Sequence, residues 1–228
     1  MAPLLVILTV AAFGMGIFTP PRSGPFCTGP CIAYPYADAA QFVPRDFFWM
    51  APGILLTPVF IVLAACIHAC VEERKKHLAV ISLCFASISA ALITLDYFIQ
   101  MQVVQPSLLH AESNGLAIFS QYNPHGLFIA LEDLGYLMLS LAFAFVSVAF
   151  PLVRGVPGTL RLIFLGGALF LFVSFIGLFS VYRLEVGFLF EITVITIDWT
   201  VLIVSGTLLT VYFRRLARPH LGVIAKPL

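Results

Sequence analysis

The chain has 228 residues and a formal net charge of +1, with 61% hydrophobic and 10% charged residues. A soluble domain carries about 25% charged residues, so a water-soluble protein is excluded and the apolar excess has to face lipid. The Lys and Arg residues flank apolar stretches with no basic run interleaved with aromatics, which argues against a nucleic-acid partner.

Continuous apolar runs predict an all-α integral membrane protein, a single domain over residues 1–228 built as a bundle of about six transmembrane helices. The predicted spans are roughly 3–19, 47–70, 78–104, 127–152, 159–181 and 188–213. A membrane barrel would alternate apolar and polar residues, and these runs do not. The first span is short and stops at Pro20–Pro21. It lacks the positively charged start of a signal peptide, so a retained helix is expected.

Between the first two spans lie Pro20, Pro21, Pro25, Pro30, Pro35 and Pro44. They predict a stiff, turn-rich loop that caps the bundle on the extracytoplasmic side. Cys27 and Cys31 sit in this loop, where Gly29–Pro30 favours a tight turn, and a disulfide is expected. A redox pair is the sharper reading, against which stands the Cys-x-x-x-Cys spacing.

Phe47, Phe48 and Trp49 open the second span and read as membrane-belt aromatics, as do Tyr212 and Phe213 at the end of the sixth. Cys66, Cys70 and Cys84 read as small packing residues within spans. In the fifth span Gly166, Gly167 and Gly177 read as close helix-packing positions. The loop after the third span carries His110, Glu112, Asn114, Gln121, Tyr122, Asn123 and His125, with a turn signal at Asn123–Pro124.

Orientation follows from the cations. Arg74, Lys75, Lys76, Arg154, Arg161, Arg214, Arg215, Arg218 and Lys226 fall at one end of a six-span arrangement, and only Arg22, Arg45 and Arg183 at the other. Both termini are therefore expected in the cytoplasm, in a plasma or inner membrane.

Five carboxylates fall inside the spans: Asp96, Glu132, Asp133, Glu191 and Asp198. A charge at mid-bilayer costs about 2.5–3.5 kcal/mol on insertion scales, so such residues mark function by default. Their phase is informative. Ser82, Ser89, Asp96 and Gln100 share one helix face, as do Glu132, Tyr136, Ser140 and Ser147, and as do Glu191, Asp198 and Ser205. Three helices thus each present a polar stripe with an acid towards the outer end.

The expected site is an acidic, polar pocket open to the outside and built from the third, fourth and sixth spans. Glu132 and Asp96 are its key acids, Gln100, Asp133, Tyr136 and Glu191 are further ligand contacts, Asp198 lies deep and His125 at the mouth. Three functions compete. The first is binding or transport of a small solute, an ion or a lipid-like ligand, although no inverted repeat supports a carrier. The second is an intramembrane enzyme acting on a lipid or isoprenoid through paired carboxylates. In a metal-assisted form, His125, His110, Glu132 and Asp96 would be the ligands. The third is an accessory subunit of a larger complex, with the stripes as helix–helix glue. The residues name no cofactor and no oligomeric state.

Overall fold

The computed structural model describes residues 1–224 and, from 218 onward, the backbone alone; Arg218 and Lys226, counted above for charge, lie outside the described side chains. It is all-helical, with no strand among the described residues. The helices are α1 (Ala2–Phe18), α2 (Met50–Cys70), α3 (Lys76–Ile99), α4 (Gln105–Leu109), α5 (Leu127–Ser147), α6 (Val156–Tyr182) and α7 (Phe188–Ile224). The five helical stretches Arg45–Cys70, Glu73–Leu109, Leu127–Ser147, Val156–Glu185 and Phe188–Ala217 are each long and apolar enough to cross a membrane. Ala2–Phe18 is apolar but shorter. A multi-pass membrane bundle is the architecture these helices fit.

Consecutive long helices pack on one another, and α1 closes the ring by packing on both α2 and α7, while α5 touches α7 across the middle. The closure depends on a small residue. A Cβ at Gly206 of α7 would sit 2.7 Å from Val6 and 2.8 Å from Leu5 of α1, so the two backbones approach as they do because Gly206 has no side chain. Gly167 plays the same part between α6 and α7, where a Cβ would lie 2.4 Å from Val201. Gly166 and Gly177 have open space around them, which corrects their reading as packing positions. The corresponding sites elsewhere are Gly53, against Tyr97, and Gly135, against Ile93.

Two prolines shape the helices. Pro58 lies inside α2 and cannot donate to the Ile54 carbonyl four residues back. The Thr57 hydroxyl donates to that carbonyl instead at 2.8 Å, and so accepts from the Thr94 hydroxyl of α3, also at 2.8 Å. Pro106 lies at the start of α4, and the carbonyl its ring crowds, at Gln102, falls in a π-helical turn, Gln100–Val104. That wider turn lets the helix run on from Ile99 to Leu109, past the expected end at residue 104. At the opposite end α5 stops at Ser147 rather than near 152, ahead of Pro151, and α6 begins at Val156 with Pro157 in its first turn.

The belt reading of the second span is corrected in part. Phe48 is exposed, but Phe47 and Trp49 are buried, and Trp49 packs edge-on against Tyr97 at 5.0 Å. Cys66, Cys70 and Cys84 are exposed on the outer surface rather than packed. Cys27 and Cys31 lie at disulfide distance, with Cα atoms 5.9 Å apart.

Candidate functional site

The site lies at the end of the bundle where the two long loops fold back. The first loop is held by a buried ion pair. Arg22 Nε donates to Asp46 at 2.9 Å, and the guanidinium lies 3.8 Å from the centre of the Phe42 ring. Exposed Arg45 contacts the other Asp46 oxygen at 3.2 Å. Ser23 Oγ donates to the Tyr122 carbonyl at 2.6 Å, which ties the first loop to the second. Gly24 has a φ of +71° and faces Phe188 so closely that a Cβ would lie 2.5 Å from its ring. The second loop is tied to the helices by Gln100 Nε2, which donates to the Phe119 carbonyl at 2.5 Å.

Between α1, the first loop and α7 lies a cavity of about 340 Å³. Its walls are mostly apolar and aromatic: Phe13 and Ile17 from α1, Phe26 from the loop, Trp49, and Phe188, Ile192, Ile195 and Trp199 from α7. Polar groups reach it at Arg22, Ser23, Gln121, Tyr122, Glu191 and Thr196. Ile17, Ile192 and Thr196 are also exposed, as are Pro20, Pro21 and Phe26 of the first loop, so the cavity opens both sideways between α1 and α7 and towards the loop. Burial first, and then the Asp46 carboxylate, push the Tyr122 phenol above its ordinary range, so this group meets the cavity as a neutral hydroxyl.

Of the five acids in the helices, Glu191 alone lines this cavity. Its carboxyl lies beside that of Glu132, with Asp133 and Asp96 also within electrostatic reach. Glu132, Asp96 and Asp198 are buried behind it, and Asp133 is half-buried. No salt bridge reaches any of the five among the described residues. Arg183, a plausible partner for Glu191 by sequence distance, is exposed and makes no such bridge. Asp198 accepts from Ser140 Oγ at 2.7 Å, while one oxygen each of Asp96, Glu132, Asp133 and Asp198 has no hydrogen-bond partner among the described residues.

Glu132 receives a directed chain of donors. Trp199 Nε1 can only donate, and it donates to the Tyr136 hydroxyl at 2.7 Å. Tyr136 and Tyr97 hydroxyls are 3.0 Å apart, and Tyr97 donates to Glu132 Oε1. With one hydrogen per hydroxyl the order is forced: Trp199 to Tyr136 to Tyr97 to Glu132. The chain delivers hydrogen-bond polarity from α7 through α5 and α3 onto one carboxylate. Trp199 belongs to both structures, as it also lines the cavity.

The close approach of Gly53 holds Tyr97 in place, since a Cβ there would lie 2.7 Å from the ring. Gly53→Ala is therefore expected to cost about 1–3 kcal/mol by overpacking and to push Tyr97 off Glu132. Gly166→Ala, in open space, is expected to be neutral or stabilising by up to about 1 kcal/mol. Thermal unfolding of the two variants in one detergent checks the contrast.

His110 and His125 stay apart from this cluster. Both are exposed on the second loop, His110 Nδ1 against the Pro106 carbonyl at 2.8 Å. Among the described residues no three of His, Cys, Asp and Glu converge as a metal site. The phase of the stripes pointed to Gln100, Glu132, Tyr136 and Asp198. It carried no signal for Tyr97, Trp199 or Phe13, whose roles come from contacts between helices far apart in the chain. Comparison with protein-family models, with curated proteins and with solved structures returns no match to this chain.

Proposed function

We propose that the protein binds a small lipid-like amphiphile in the cavity between α1 and α7, taken from the membrane through the sideways opening. The observation that carries this reading is the pairing of one acid, Glu191, with apolar and aromatic walls in a space of about 340 Å³. Ligand pockets fall at about 300–1,000 Å³ and combine apolar walls with a few placed polar groups. Binding is favoured over passage because the next two voids along the bundle hold only about 30 and 20 Å³. The charge distribution of the flanking segments supports an orientation with the loop end outside and both termini in the cytoplasm.

Native mass spectrometry of protein gently extracted from its own membrane tests the reading. The unmodified protein is expected to carry a discrete small mass that is absent from Glu191→Gln and from Glu132→Gln, both of which stay folded. Wild-type protein free of any such mass, or the same mass on both variants, would count against it.

A further inference from the structure

The cavity's ligand class can be narrowed from its wall chemistry, on the premise that the cavity is the ligand site. We infer that the bound molecule presents an organic cation, such as a substituted ammonium group, to Glu191. Aromatic faces attract cations through the ring quadrupole, most strongly tryptophan. This cavity is lined by Trp49 and Trp199 together with Phe13, Phe26, Phe188 and Tyr122. Trp49 and Trp199 lie 6.4 Å apart, centre to centre, so two neighbouring indoles stand in the cavity wall.

The charges at the cavity agree with this. Arg22 is the one cation lining it among the described residues, and its charge is already met by buried Asp46 and the Phe42 ring. Glu191 has no protein cation against it among the described residues. It stands in the first turn of α7, where the helix dipole favours negative charge. Behind it, Glu132 is fully buried, accepts the donor chain at Oε1 and has no hydrogen-bond partner at Oε2 among the described residues. Two neighbouring acids, with no unpaired cation beside them among the described residues, give the cavity carboxyl groups that an organic cation would hold in their ionised form, enclosed by aromatic rings. A neutral lipid would offer these carboxyls no counter-charge, and an anion would be repelled by either of them once ionised.

The chain contains two tryptophans, and both line the cavity, so intrinsic fluorescence reports occupancy directly. Protein in lipid nanodiscs is titrated with benzyltrimethylammonium, with its neutral carbon isostere neopentylbenzene, and with benzenesulfonate. The cation is expected to change the emission saturably, with affinity at least about tenfold tighter than either comparison probe. Glu191→Gln is expected to lose about that factor for the cation alone. If the isostere or the sulfonate binds as tightly as the cation, the charge assignment is overturned and the cavity stands as a ligand site of another class. If none of the three alters the emission, the cavity reading falls with it. The comparison between probes on unmodified protein decides the point even where Glu191→Gln fails to fold.

Discussion

Arg22→Ala is expected to lower stability by about 3–5 kcal/mol, because it leaves Asp46 buried without its buried cation. Asp46 is 1% exposed and Arg22 7%, so water cannot take over the lost contact. Arg45→Ala provides the comparison. Arg45 bonds the same carboxylate, but its side chain is 67% exposed, and exposed pairs contribute about 0–1 kcal/mol. Arg22 also lines the cavity and stacks on Phe42, so its loss should loosen the first loop there and leave the far end of the bundle unchanged. Limited proteolysis within residues 19–46, together with thermal unfolding, reads both effects. Equal damage from Arg22→Ala and Arg45→Ala would show that burial does not set the strength of this pair.

The second large effect is expected at the donor chain. Tyr136→Phe removes the acceptor for Trp199 Nε1 and the donor to Tyr97 in one step. Each buried polar group stranded in this way costs about 1–3 kcal/mol. Tyr97→Phe strands Glu132 Oε1 and should cost at least as much, since that acceptor is a carboxyl group. The double substitution should cost clearly less than the sum, by about 0.5–3 kcal/mol, because each single change already breaks the same chain. Tyr182→Phe, on an exposed residue, should change stability by no more than about 0.5 kcal/mol. Additive costs for Tyr97→Phe and Tyr136→Phe would show that the hydroxyls act separately.

The helices were legible because lipid imposes continuous apolar runs, and the polar stripes because a spacing of four or seven residues fixes one face. Ser82, Ser89, Asp96 and Gln100 share that face on α3 and its π turn, and all four are buried. Adjacent Glu132 and Asp133 differ for the same reason: about 100° around the helix separates a fully buried acid from a half-buried one. What remained hidden depends on partners distant in the chain. Trp49 stands where belt aromatics stand, and nothing local shows that Tyr97, Phe128 and Trp199 surround it. Helical phase says which residues share a face of α6 but not which neighbour that face meets, so Gly167 and Gly166 could not be told apart. The placement of α1 against α7 was equally unreadable, and it decides where the cavity lies. The acids alone pointed to the third, fourth and sixth spans, whereas the open space lies one helix over, with Glu191 as the link.

The claim at the centre is that a specific small molecule, rather than bulk lipid, occupies the space between α1 and α7. A photoreactive benzophenone analogue of phenylalanine in place of Ile195, on the cavity wall, tests it most directly. The same analogue in place of Phe170, 62% exposed on α6, samples the surrounding lipid. After irradiation in native membranes, position 195 is expected to carry one discrete adduct that is absent at position 170. The same spread of lipid adducts at both positions would contradict the account.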